Sequence, residues 1–171
     1  MTSGPTRHPG FVLETTAFTP GGRFADAQLF NGMGYSGGNL SPALSWRGAP
    51  PGTKSYALMM HDPDAPTGSG WWHWVVYDIP ADVAALPAGA GAADGSKLPA
   101  GAKHGVTDFG TAGYGGAAPP KGHGVHHYDF RLFALGVPKI DPPPGATAAM
   151  IGFMVNANAL AVAYIQATYG S

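Results

Sequence analysis

The chain has 171 residues, enough for one hydrophobic core and too few for two comfortable ones, so a single domain spanning 1–171 is expected. Glycine and proline make up about a quarter of it, yet only 11% of residues are charged, 44% are hydrophobic and the net charge is −1, which excludes a self-repelling disordered chain. Nine dispersed Lys and Arg leave no basic stripe for a phosphate backbone, and the absence of cysteine removes disulfides, thiolate-held metals and thiol nucleophiles.

In chain order, the first ten residues lack the apolar run of a signal peptide or membrane anchor, and no later stretch reaches 18 apolar residues. A cytoplasmic protein without stable membrane insertion is expected. Short apolar runs bounded by Gly, Pro or Asp predict strands at Phe11 to Phe18, Ser55 to His61, Trp72 to Ile79 and Tyr128 to Leu135. In the last of these Tyr128, Phe130, Leu132 and Ala134 alternate with Asp129, Arg131 and Phe133, giving one uniformly apolar face. The Ala- and Gly-rich stretch from Ala81 to Ala102 is expected to be a loop or covering segment. From Ala146 to Thr168 there is no proline, and Met150, Phe153, Met154, Ala157, Leu160, Ala161 and Tyr164 recur at helical spacing. A long helix docked through that stripe is predicted, preceded by the stop Pro142-Pro-Pro-Gly145. The whole reads as an all-β antiparallel sandwich with one C-terminal helix.

Some signals are set aside. Gly32-Met-Gly34-Tyr-Ser-Gly37 spells a dinucleotide fingerprint, but turn formers and Pro42 follow it where a helix would have to open. No nucleophile elbow, zinc-protease helix or P-loop occurs, and no cofactor is implied. His61, Asp62, Asp64, His123, His126 and His127 could offer metal ligands, yet in a strand His126 and His127 point to opposite faces. No metal site is assigned.

Two segments concentrate polar groups between apolar strands: His61-Asp-Pro-Asp-Ala-Pro66 followed by Trp71-Trp-His-Trp74, and Gly113 to Tyr128. Histidine, tyrosine hydroxyl and glycine-loop N–H groups are the donors an anion site needs, while a carboxylate such as Asp62 orients a histidine. Equally ordinary roles exist: Asp62 and Asp64 as turn formers before proline, and His73 as a satisfied core histidine.

Taken with Asn39-Leu-Ser-Pro-Ala-Leu-Ser-Trp46, Ala49-Pro-Pro-Gly-Thr53, Asp62-Pro-Asp-Ala-Pro66, His73-Trp74, Gly113-Tyr-Gly-Gly116, Pro119-Pro120 and Gly122-His-Gly-Val-His-His-Tyr128, the chain resembles the phosphatidylethanolamine-binding proteins, also called Raf kinase inhibitor proteins, and most closely their small bacterial members. The resemblance implies a Greek-key β-sandwich with a small pocket for phosphate-like and carboxylate-like anions at one end. It puts the pocket carboxylate at Asp62, histidines at His73 and His126, the tyrosine at Tyr128, and a wall at Gly113 to Ala118 with Pro119 and Pro120, so Ala118 and Pro120 join the ligand-binding set. Where the family often has arginine after the second histidine, this chain has His127. With no Lys or Arg at the matched positions, imidazolium from His73 and His126 is expected to supply the positive charge, so anion binding should weaken as pH rises.

The leading expectation is a non-enzymatic binding or regulatory domain for a small anionic ligand, with a homodimer possible and no nucleic-acid partner. The alternative is an enzyme in which Asp62, His73 and His126 do acid/base work on a small carbonyl or phosphoryl compound. Inhibition of a protein kinase rests on eukaryotic relatives alone. A cis Ala65–Pro66 bond is also expected, to turn the chain and aim Asp62 at the pocket.

Overall fold

The computed structural model describes residues 8–171. The opening residues, read above as lacking an apolar leader, lie mostly outside that range. Among the described residues the strands are β1 (Val12–Glu14), β2 (Leu44–Arg47), β3 (Ser55–Asp62), β4 (Trp71–Pro80), β5 (Ala85–Leu86), β6 (Lys103–His104), β7 (Val125–Leu135) and β8 (Ala159–Gly170), with one α-helix, α1 (Ala148–Asn158), and a short 3-10 turn at Asp26–Gln28. A three-stranded sheet runs β1-β2-β5 and a five-stranded sheet runs β6-β4-β3-β7-β8. Every ladder between named strands is antiparallel.

Period-two patterning explains where the core sits. Leu58 and Met60 of β3, Trp74 and Val76 of β4, and Tyr128, Phe130, Leu132 and Ala134 of β7 turn one way. They meet Leu13, Leu44, Trp46 and Leu86 of the smaller sheet in the sandwich interior. Ala57, Met59, Val75, Phe133 and Leu135 turn the other way, onto Ala148, Ile151 and Val155 of α1. The five-stranded sheet is thus buried on both faces, which is why β3 reads as a nearly unbroken apolar run.

Four expectations need correcting. The long helix over 146–168 stops at Asn158, and residues 159–170 form a twelve-residue strand that pairs with β7 along its length. Ala161, Ala163, Ile165 and Ala167 alternate inward there, a strand rhythm masked by alanine's helical preference. Of the apolar stripe within α1, only Met154 packs against the core. Phe153 is 74% and Met150 44% exposed, while Ala148, Ile151, Gly152 and Val155 form the buried face. The first strand is Val12–Glu14 rather than the full Phe11 to Phe18 run. The described residues contain no cis peptide bond, so Pro66 is trans. The stretch Ala81 to Ala102 does cover the core, contributing β5 and the buried Leu86 and Ala90.

Thr147 caps α1, its side-chain oxygen accepting the Met150 N–H at 3.1 Å. Thr147→Ala removes that acceptor and is expected to cost about 1 kcal/mol. A urea midpoint identical to wild type would contradict this.

Candidate functional site

Three strand ends converge at one end of the sandwich. Asp62 closes β3, Trp71 opens β4 opposite it, and His126 and Tyr128 lie near the start of β7 on its inward face. Between β3 and β4 the reversal is made without cis proline. Asp62 Oδ1 accepts the Asp64 N–H at 2.8 Å, and Gly70 takes φ +72°, where an added Cβ would come within 2.5 Å of the Asp62 carbonyl oxygen.

Together these ends enclose a cavity of about 170 Å³. That is well under the roughly 300 Å³ at which pockets for drug-sized ligands begin. All six residues of the expected binding set, Asp62, His73, Ala118, Pro120, His126 and Tyr128, line it. So do Trp71, Pro119 and the Ala65-Pro66-Thr67 turn. Met33 and Phe109 line it with no signal in the sequence. Phe109 arrives through a loop: Asp108 accepts the Trp72 N–H at 2.7 Å, which lays the Phe109 ring edge-on to Trp71 at 5.3 Å and to His73 at 5.4 Å.

Both carboxylate oxygens of Asp62 are engaged. Oδ2 accepts from His126 Nδ1 at 2.7 Å, and His126 Nε2 lies 2.7 Å from Nδ1 of the exposed His123. The turn role and the histidine-orienting role of Asp62 therefore coexist. The acceptor at Oδ2 assigns the Nδ1 proton of His126, and one further proton is shared between His126 and His123. His123, weighed above only as a metal ligand, is the outer member of this chain. Among the described residues no group of three or more His, Asp or Glu is arranged to hold a metal ion.

His127, on the opposite face of β7, meets Asp64 instead, with Nδ1 and the backbone N–H both 2.7 Å from Oδ2. Partial burial alone would raise the Asp64 carboxyl, but these His127 hydrogen bonds outweigh it and hold it below the usual carboxylate range.

His73 departs from expectation. Burial, only partly offset by the Gly115 carbonyl that accepts from Nδ1 at 2.8 Å and by the Asp62 charge, lowers its pKa from 6.5 to about 4. It is neutral near pH 7 and supplies no positive charge. The unfolded chain takes up this proton first, near 6.5, so stability is complete above that value and lost as pH falls toward 4. The contribution is about 1.4 kcal/mol per pH unit across that window. Urea titrations at pH 7 and pH 5 should show a smaller acid loss in His73→Gln than in wild type; equal losses would contradict the assignment.

The glycine wall also differs from expectation. Its N–H groups at Tyr114, Gly115 and Gly116 are already spent on the Gly91 carbonyl, the His73 carbonyl and Asn39 Oδ1. The donors without partners lie elsewhere. Among the described residues three buried side-chain atoms have no hydrogen-bond partner: the hydroxyl of the fully buried Tyr128 and Nε1 of Trp71, both on residues that line the cavity, and Nδ1 of His104, which does not line it. Burial first, then the Asp62 charge, pushes the Tyr128 pKa far above the ordinary tyrosine value, so the hydroxyl keeps its proton. Among the described residues no Lys or Arg lines the cavity.

The sequence profile of the phosphatidylethanolamine-binding proteins matches residues 14–170. The chain belongs to that family. It is 50% identical to Escherichia coli YbcL over 159 residues, covering 93% of this chain and 87% of YbcL. It is also 50% identical to E. coli YbhB over 149 residues, covering 87% of this chain and 93% of YbhB. The crystal structure of YbcL, described as a member of the mammalian PEBP family, superposes with a TM-score of 0.92 at 49% identity, covering 95% of this chain and 99% of YbcL. The homologue CT736 of Chlamydia trachomatis superposes with a TM-score of 0.78 at 26% identity, covering 95% and 98%. In this PEBP-family member none of the described helices is long and apolar enough to cross a membrane.

Proposed function

We propose that the cavity is a binding site for one small oxyanion of the phosphate or carboxylate class, such as the head group of a phospholipid, and that this PEBP-family protein is a binding domain rather than a catalyst. The supporting observation is the Tyr128 hydroxyl, buried against the cavity and unpartnered. A buried donor left without an acceptor costs about 1–3 kcal/mol. Retaining one in a pocket is understandable if a ligand completes it, and Trp71 Nε1 offers a second donor of the same kind. Engagement of both Asp62 oxygens and both His126 ring nitrogens within the protein favours a wall-building role for this pair over proton exchange with a substrate.

Neutral donors beside a carboxylate, with no Lys or Arg among the described lining residues, favour a singly charged oxyanion over a doubly charged one. A phosphomonoester gains its second charge near about pH 6. Calorimetry with phosphoethanolamine is therefore expected to show affinity falling between pH 5.5 and 7.5, driven by the ligand's own ionisation. Acetate, singly charged throughout, should lose less. Absence of binding by both probes at pH 5.5 would overturn the proposed function, and phosphoethanolamine binding that strengthens with pH would overturn the charge preference.

A further inference from the structure

The cations missing from the pocket lie on the other side of its proline wall. Pro119 and Pro120 line the pocket, whereas Lys121, the next residue, lines a separate polar groove of about 500 Å³. Met33 and Gly34 divide the same way, Met33 toward the pocket and Gly34 toward the groove. The two walls are tied together by the Tyr35 hydroxyl, which donates to the Pro119 carbonyl at 2.6 Å.

Arg23 and Lys121 are held in this groove by aromatic faces rather than by acids. The Arg23 guanidinium carbon lies 4.2 Å from the Tyr169 ring centroid, and Lys121 Nζ lies 5.2 Å from that of Tyr35. The two rings meet edge to face at 6.2 Å. One guanidinium nitrogen of Arg23 donates to the Gly170 carbonyl at 3.3 Å. Among the described residues neither cation has a carboxylate within ion-pair distance. Stacking restricts a guanidinium while leaving in-plane N–H groups available, so less ordering remains when an oxyanion arrives. Asp26 and Ser36 also line the groove and supply polar groups of the other kind, a carboxylate that accepts and a hydroxyl that does both.

We propose that this groove is a second ligand site, distinct from the pocket, that takes a phosphorylated polyol: Arg23 and Lys121 receive the phosphoryl oxygens, while Asp26 accepts from hydroxyl groups of the body. Its size suits such an occupant, since about 500 Å³ falls within the usual range for small-molecule sites, whereas a bare anion would leave much of it empty. The site is open to solvent, so its affinity should fall as salt is raised.

The test is a two-dimensional amide NMR titration of the full chain with glycerol phosphate, inorganic phosphate and glycerol, each added separately. Glycerol phosphate is expected to move the amides of Arg23, Ser36 and Gly170 and to bind at least several-fold more tightly than inorganic phosphate, with glycerol silent. Arg23→Gln and Lys121→Gln should each weaken glycerol phosphate about tenfold at low salt, as expected for loss of one charge-assisted hydrogen bond. Asp26→Asn should weaken glycerol phosphate but not inorganic phosphate. Tyr128→Phe, which alters only the pocket, should leave these groove shifts unchanged. Unperturbed backbone spectra of the apo variants check that each remains folded. The proposal is overturned by shifts confined to pocket residues, by an Arg23→Gln, Lys121→Gln double variant that binds like wild type, or by equal affinities for inorganic phosphate and glycerol phosphate.

Discussion

Replacing Tyr128 with phenylalanine is expected to weaken phosphoethanolamine binding by about ten- to hundredfold while leaving the protein as stable as wild type or slightly more so. The two effects separate because the hydroxyl has no partner within the protein. Removing it deletes no native hydrogen bond and relieves the cost of a buried unsatisfied group, so the urea midpoint should hold or rise. Hydrogen bonds to charged acceptors are worth about 1.5–3 kcal/mol, and each 1.4 kcal/mol is a factor of ten in affinity. The ring must stay because it packs on Phe24 at 5.4 Å and on His73 at 5.3 Å, and phenylalanine keeps both contacts. Calorimetry and urea unfolding on the same preparation decide the matter. Unchanged affinity with lowered stability would make the hydroxyl structural and remove the main support for the binding site.

The largest stability effect is expected at Asp62. It is 3% exposed, and its two oxygens satisfy the Asp64 N–H and His126 Nδ1, so Asp62→Ala strands two donors and opens the β3–β4 turn at once. Stranding a buried donor costs about 1–3 kcal/mol, and loss of the turn hydrogen bond adds about 1 kcal/mol. At roughly 2–4 °C per kcal/mol for a chain of this size, the melting temperature should fall by about 10 °C. Asp62→Asn retains an oxygen for the turn and should cost clearly less. A double-mutant cycle with His126→Phe measures the coupling between the two side chains. An Asp62→Ala variant within 1 kcal/mol of wild type would show that this pair does not hold the pocket together.

Much of the site is visible in the sequence because strands write their faces in steps of two. Tyr128, Phe130, Leu132 and Ala134 announce the buried side of β7, and the same step places His126 inward and His127 outward. What escaped the sequence depends on burial or on distant chain segments meeting. The neutrality of His73 comes from desolvation, which its neighbours in sequence do not encode. Phe109 and Met33 reach the cavity from loops without periodicity, and Arg23, Tyr169, Tyr35 and Lys121 come together only through the fold. β8 was obscured for a different reason. Its inward positions are mostly alanine, so the alternation carries little hydrophobic contrast and the adjoining helix extends through it by propensity alone.

The length of the β7–β8 ladder has a consequence for the site itself. Because neighbouring residues on a strand face opposite ways, a slip of β7 by one position would bring His127 and Asp129 inward and turn His126 and Tyr128 out. Pairing with β8 runs from Val125 opposite Gly170 to Leu135 opposite Ala159, and β3 pairs with the other edge of β7. Misregistration would therefore break two ladders at once, while Asp129, which takes the Tyr164 hydroxyl and the Gln166 amide at 2.7 Å each, locks the outer face in phase. The pocket inherits its precision from a vernier more than thirty ångströms long, at about 3.4 Å per residue over the eleven residues of β7, and only its first few divisions, at His126 and Tyr128, line the cavity.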